Sequence, residues 1–477
     1  MNKFWFWIVI LLGIHLFFLI NLQFTAWPEM LAYPYLRESQ FLIYKDMIHP
    51  YPPLLTMVLS WFYYILGHEL WVLKMLAWAV ILTSDILIFL ITKQLTHNNI
   101  VAILTLFIYI LLQPFLDGNM LWFDLAIIPP ILLGTLFILR GNIFLAGLAL
   151  SVAIFIKQTA IIFFILAFLY LIFIKRKSFN QLSAKGGWAS GPKSFLIGLL
   201  IFGIPLLIRL IQEGALGDFI NWVIIYPLLW FGKFPGYLQS ISSKRELIVL
   251  GILFFPLAFL WRRRKILKDK DSQLILLFFL ASLIAIYPRF SFFHFQIALA
   301  FLVILYGILL SKIKISSSTI AYFLVPSALL LFFVHRSVIT LEWGKEARFY
   351  GRDELALADL ISQRVAPAEK VFLLGLPANL YVMSNRLPPK RWTDNFGWYL
   401  EIPGVQREII SRWEENLPAQ AGLPQFIFWR IPSQGNWFDL GTYQPQKIVK
   451  WIKDNYTKIE EVTPGIWLWE KKPVLSE

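Results

Sequence analysis

The sequence predicts a polytopic α-helical membrane protein that carries a soluble α/β domain in its C-terminal part. Three observations lead there. Of 477 residues, 58% are hydrophobic and only 15% charged, with a mean hydropathy of +0.65, more apolar surface than a soluble chain of this size can bury. Runs such as 4–20, 194–211, 247–261, 273–287 and 295–311 are long enough to cross a hydrocarbon core of ~30 Å as helices. From about residue 337 the composition turns soluble, with 17 Lys+Arg against 17 Asp+Glu.

Taken in order, hydropathy and charge are jointly satisfied by about eleven spans: 4–22, 69–95, 100–116, 124–140, 143–157, 160–174, 194–212, 246–262, 272–288, 294–311 and 317–335. The first lacks a small-residue cleavage site and reads as a retained anchor. Segment 53–66, PLLTMVLSWFYYIL, is too short for a span. It is expected as an interfacial helix, with Trp61, Tyr63 and Tyr64 in the headgroup zone. Segment 218–240, interrupted by Pro227 and Pro235, is expected as a second juxtamembrane element. The net charge of +14 belongs wholly to residues 1–336. Placing Lys3, Lys93, Arg140, Lys175 to Lys193, Trp261 to Lys270 and Lys312 to Lys314 on one side collects 16 basic residues there, against Asp269 and Asp271. That asymmetry assigns this side, and the N-terminus, to the cytoplasm, and the C-terminal domain to the extracytoplasmic side. No soluble basic face exists to bind nucleic acid. The absence of cysteine removes disulfides, thiolate metal sites and cysteine nucleophiles.

The division expected is therefore 1–336 as a transmembrane catalytic domain, with a first external loop at 23–68, and 337–477 as an extracytoplasmic α/β domain. In the latter, 353–365 has helical periodicity, VFLLG at 371–375 and QFIFWR at 425–430 read as buried strands, 445–456 as a helix and IWLWE at 466–470 as a last strand. No Gly-rich phosphate loop is present.

The candidate site comes from four connections predicted on the outer face. The first loop, WPEMLAYPYLRESQFLIYKDMIHPYPP, offers Glu29 and Asp46, with Arg37, Glu38, Lys45 and His49 nearby. LDGNMLWFDL offers Asp117 and Asp124. IFIKQTA offers Lys157 and Gln158 with almost no loop around them, and YPRFSFFHFQ offers Arg289, His294 and Gln296. Ionisable groups beside spans are costly and usually face a polar interior. Each has a plainer explanation: Asp124 as a helix N-terminal acid, Lys157 snorkelling to the interface, Arg289 and His294 as headgroup anchors, Glu38 and Glu69 as solvated acids. Asp85, deep in a span, reads as a satisfied interhelical hydrogen bond rather than a functional group. The convergence of acids and bases on one face favours function.

Such a face suits group transfer from an anionic lipid carrier. A polyprenyl phosphate needs an apolar groove for its tail and cations for its phosphate, on which charge builds as it departs; Lys157 and Arg289 are suited to that. An acceptor hydroxyl needs a carboxylate to take its proton, and Glu29 or Asp46 can serve. One base and one phosphate leaving group imply inversion of the anomeric centre. No compact metal-ligand cluster is present; no cofactor is expected, and a divalent metal is compatible but not indicated.

The order of these motifs resembles the GT-C superfamily of integral-membrane glycosyltransferases, which includes protein O-mannosyltransferases and the aminoarabinose transferases that act on lipid A. The family's first acidic loop is similar to Trp27-Pro28-Glu29, Tyr44-Lys45-Asp46, Pro52-Pro53-Leu54 and Leu66-Gly67. LWFDL around Asp124, GLALSVAIFIKQTA ending near Lys157, YPRFSFFHFQIALAFL and EKVFLLGLPANLYVMSNRLPP resemble its later motifs. The resemblance implies a membrane glycosyltransferase with Glu29 as base and Asp46 assisting, and with Tyr44, Asp124, Lys157, Arg289 and His294 in substrate binding. Its expected partners are a polyprenyl-phosphate-sugar donor, a lipid, glycan or protein acceptor, and the bilayer. Two positions depart from the pattern: the usual Asp-Glu pair is Pro28-Glu29, and the usual glycine before the Tyr-x-Asp motif is Gln40. They keep open an inactive homologue that assists cell-envelope assembly. A lipid or glycan transporter is the alternative from another class.

Overall fold

The structure, a computed structural model, describes residues 3–174, 192–234, 241, 243–258, 269–287, 289–312, 328, 331–332, 334–336, 338–390, 399, 402–414, 423–430 and 446–473. In chain order the helices are α1 (Lys3–Asn21), α2 (Pro28–Glu38), α3 (Leu54–Leu66), α4 (Leu70–Thr96), α5 (Asn99–Leu112), α6 (Phe123–Ala126), α7 (Ile128–Arg140), α8 (Ile143–Ile156) and α9 (Ile161–Leu169). They continue as α10 (Pro192–Gln212), α11 (Leu216–Ile220), α12 (Tyr226–Leu229), α13 (Lys244–Phe254), α14 (Lys270–Ile286) and α15 (Phe292–Lys312). The C-terminal part adds α16 (Arg352–Arg364), β1 (Val371–Leu374), α17 (Asn379–Met383), α18 (Val405–Glu414), β2 (Phe426–Arg430), α19 (Gln446–Asn455), β3 (Tyr456–Thr463) and β4 (Ile466–Lys471). Most of the expected span at 317–335, and the basic stretches 175–191 and 261–268, lie outside the described residues.

Among the described residues five helices are long and apolar enough to cross a membrane: Phe4–Asn21, Leu70–Thr96, Phe123–Arg140, Lys193–Gln212 and Phe292–Lys312. Asn99–Leu112, Ile143–Ile156, Gln158–Ile174 and Leu216–Leu229 are shorter apolar helices. The chain forms two compact units: Met1–Thr25, Lys74–Leu207 and Gln239–Glu346 make the first, Ala26–Leu73, Ile208–Leu238 and Ala347–Glu477 the second.

In the first unit α15 is the buried axis: every residue from Ala298 to Leu305 is at most 1% exposed. Side chains this apolar all round mark a helix enclosed by other helices. It packs against α5 and α14. Gly307 allows the close approach, since a Cβ there would come 2.5 Å from Thr105 Oγ1. The antiparallel pair α7 and α8 turns through Gly141, whose φ of 79° lies in the left-handed region that glycine tolerates.

In the second unit the first-loop helix α2 packs on α3 and on α17. Helix α3 buries Leu55, Leu59 and Tyr63 while exposing Val58, Trp61, Tyr64 and Ile65, an aromatic and apolar outer face of the kind that sits among lipid headgroups. The small sheet has the order β1-β2-β4-β3, with β1 parallel to β2 and the other pairings antiparallel. All four residues of β1 are buried, which explains its unbroken apolar run. Strand β3, YTKIEEVT, forms an edge whose Lys and Glu residues discourage further pairing. Helix α19 turns Ile448, Val449, Trp451 and Ile452 inward. Arg386 closes the end of α16 by donating to Ser362 O at 2.7 Å and Val365 O at 2.7 Å.

Candidate functional site

In the first unit, three of the expected residues meet. Lys157 is the only residue between α8 and the short turn Gln158–Ala160. Its backbone leaves the helix for an extended conformation (φ −145°, ψ 126°) while its N–H still closes onto Ala153 O at 2.9 Å. Asp124 stands in the first turn of α6, after the extended Trp122, where an acid is favoured by the helix dipole. His294 stands near the start of α15, two residues in from Phe292.

Lys157 Nζ donates to Asp124 Oδ1 at 2.5 Å, and His294 Nδ1 lies 3.0 Å from Oδ2 of the same carboxylate. Asp124 and Lys157 are 4% and 8% exposed. A charged pair in such surroundings is tolerable only because each group satisfies the other. Arg289, just before α15, lies within electrostatic reach of His294. The plain helix-dipole explanation of Asp124 is thus incomplete, and Lys157 does not snorkel: its ammonium turns to a carboxylate. The cluster holds one carboxylate among three groups able to carry positive charge, a balance suited to an anion.

The first loop lies in the second unit. Glu29 occupies the first turn of α2, behind Pro28, whose ring presets the first helical φ. It is 1% exposed, and neither carboxylate oxygen has a hydrogen-bond partner among the described residues. Burial pushes its pKa up to about 7, outweighing the smaller opposite pull of its own backbone N–H. A carboxyl poised near neutrality can accept a proton at working pH.

Asp46 is engaged differently. Its Oδ2 accepts from Leu42 N–H at 3.0 Å, closing the turn in which Asp46 N–H returns to Leu42 O at 2.9 Å. The same oxygen lies 3.3 Å from Lys390 Nζ. Tyr44, at a φ of 72°, donates its hydroxyl to Tyr51 O at 2.8 Å. His49, wholly buried, donates Nδ1–H to Tyr51 O at 2.8 Å and faces Thr56 Oγ1 at 2.8 Å with Nε2. Burial drives its pKa down to about 4, so the ring is neutral and serves as an internal brace. Gln40 has a φ of 68°, a left-handed backbone conformation that glycine adopts more readily than glutamine.

Sequence reasoning missed several groups. Glu38, expected to be solvated, is only partly exposed, with Oε1 3.4 Å from His68 Nε2, and burial raises its pKa to about 7. Lys390 gave no sign of meeting Asp46, because the signal is a tertiary approach across more than three hundred residues. Asp85 has the hydrogen bond expected of it, to His15 Nδ1 at 2.7 Å. A signal for that partner existed: His15 is the one ionisable residue between Lys3 and Glu29. Among the described residues no three His, Asp or Glu side chains gather as metal ligands.

No family model and no curated protein matches the chain. Among solved structures it is similar to ArnT from Cupriavidus metallidurans bound to undecaprenyl phosphate, with a TM-score of 0.63 and 10% identity over 99% of this chain and 99% of that one. It is also similar to the apo state of the same protein, with a TM-score of 0.60 and 10% identity over 97% of each chain. At that identity the likeness is one of fold, and it runs nearly end to end: this chain shares with those structures a polytopic helical architecture of several apolar helices with a small C-terminal sheet domain.

Proposed function

We propose that this protein is a membrane glycosyltransferase that moves a sugar from a polyprenyl-phosphate-linked donor to an acceptor on the extracytoplasmic side. The observation that carries the reading is the shared fold, over nearly the full length, with ArnT captured with undecaprenyl phosphate. The chemistry of the residues supports it. Asp124 orients Lys157 and His294, and Arg289 lies within electrostatic reach of His294, which gathers cationic groups suited to a lipid phosphate. Charge growing on the departing phosphate is stabilised by groups already in place. Glu29 takes the proton of the acceptor hydroxyl. The acceptor oxygen then bonds to the anomeric carbon as the bond from that carbon to the phosphate oxygen breaks, with inversion. The electron pair of the broken bond leaves on the polyprenyl phosphate. Asp46 assists by holding the Tyr44-Lys45-Asp46 turn. In this reading residues 1–336 carry the transfer site, residues 337–477 form the extracytoplasmic domain, the N-terminus is cytoplasmic, and the acceptor is a lipid, a glycan or a protein.

The test is transfer from radiolabelled polyprenyl-phosphate sugars in proteoliposomes. Transfer by the wild-type chain, abolished in Glu29→Gln and weakened in Asp46→Asn, is the expected result. Full activity in both variants would remove the first loop from the mechanism, and bound but untransferred donor in the wild type would favour an inactive homologue.

A further inference from the structure

The transfer chemistry makes no use of a second polar network in the first unit. It begins at Asp85 on α4, whose Oδ2 is 2.7 Å from His15 Nδ1 on α1. His15 Nε2 is 3.0 Å from Gln113 Oε1, at the end of α5. Gln113 Nε2 donates to Gly118 O at 2.9 Å. Gln296 Nε2, on α15, donates to Gln113 O at 3.2 Å and also to Leu116 O. His15, Asp85 and Gln296 are 0% exposed and Gln113 is 1% exposed.

Proton counting fixes the orientation of each link. Gln113 must turn its NH2 to Gly118 O, so its carbonyl oxygen faces His15. His15 must therefore carry its proton on Nε2. One further proton lies between Nδ1 and Asp85, on either group, and the links stay satisfied in both arrangements. The network ends on the wide turn Pro114–Gly118, which leaves the helical conformation at Leu116 and Asp117 and so frees carbonyls that need donors. Gln296 supplies those donors.

The consequence lies in the geometry of α15. Gln296 and His294 are two residues apart, about 200° around a helix. An anchor that holds one side of the first turns of α15 to the carbonyls of the wide turn thereby sets the direction of the opposite side, where His294 meets Asp124 at 3.0 Å. We propose that Asp85, His15, Gln113 and Gln296 are positioning residues that fix the rotation of α15 and so hold His294 on the Asp124–Lys157 pair. The proposal deepens the transferase reading and rests on it for its kinetic consequence, but not for its structural one.

The test uses the full chain in nanodiscs with nitrogen-15-labelled histidine, which gives six imidazoles; His294 is assigned by its loss in His294→Gln. Asp85→Leu and Gln296→Met keep volume and suit an apolar interior, so a packing role predicts that both are tolerated. Asp85→Asn can still donate to Nδ1 and keep the chain of bonds. Asp85→Leu and Gln296→Met are expected to move the His294 signal while those of His49 and His68 stay in place. Turnover should fall about tenfold or more with donor KM changed less than about threefold, and Asp85→Asn should behave as wild type in both respects. Gln296→Met carries the test if Asp85→Leu does not fold. An unmoved His294 signal in folded Gln296→Met overturns the proposal, as does an Asp85→Asn as impaired as Asp85→Leu. If the wild type transfers no sugar while the His294 signal responds as expected, the transferase reading falls and the positioning network stands.

Discussion

Replacing Glu29 with glutamine is expected to stabilise the protein as it abolishes transfer, and the gain depends on pH in a defined way. Glu29 is buried, its carboxylate oxygens lack hydrogen-bond partners among the described residues, and its pKa is pushed from the ordinary 4.5 up to about 7. The folded state therefore binds the proton more tightly than the unfolded state. Between pH 4.5 and 7 the folded chain holds more protons, so stability falls as pH rises through that window. At about 1.4 kcal/mol per unit, the loss reaches about 3 kcal/mol above pH 7. Glutamine of similar shape has no charge to bury, so its stability lacks this slope. The melting gap between Glu29→Gln and wild type should widen by about 2–3 kcal/mol from pH 5 to pH 8, or roughly 3 °C for a chain of this size. Tryptophan fluorescence during a thermal ramp in detergent reads it directly, since the chain contains 20 Trp. A gap that stays constant across that range would refute the argument, because it would mean the carboxyl titrates alike in both states.

Three further perturbations follow from named contacts. Asp124→Asn strips Lys157 of its buried counter-charge and should cost about 3–5 kcal/mol; the double variant with Lys157→Met should recover part of it, and thermal midpoints of the two read the difference. Lys390→Ala removes a pair whose lysine is 66% exposed, so the loss should stay within about 1 kcal/mol and shrink in high salt, as measured by melting at two ionic strengths. Gln40→Gly relieves a φ of 68° at an exposed position and should raise stability by about 0.5–1 kcal/mol; a lowered midpoint would contradict the strain.

Much of this arrangement could be read from residue order. Long apolar runs gave α1, α4, α10 and α15 because length and hydrophobicity together leave a chain in lipid few alternatives. The sheet strands VFLL, FIFWR and IWLWEK were legible because their apolar runs are short and bounded. Strand β3 and helix α2 were not: the first is a polar edge, and the second is an 11-residue helix containing Pro34 that is held by its packing on α3 and α17. Lys157 and Asp124 were visible as costly ions in apolar surroundings, but that they neutralise each other is a tertiary fact. Glu29 was singled out in the first loop and Glu38 was expected to be solvated; that Glu29 is fully enclosed and Glu38 only partly so is set by tertiary packing.

Lys157 is joined to α8 on one side and to the Gln158–Ala160 turn on the other with no slack residue between them. Adding or deleting one residue within Ile143–Ile156 would swing the ammonium about 100° around the axis and shift it about 1.5 Å along it, away from Asp124. The side chains along this stretch can change without moving the ammonium, because its direction is set by the count of residues that precede it. The ion pair therefore depends on the spacing of the segment more than on its spelling.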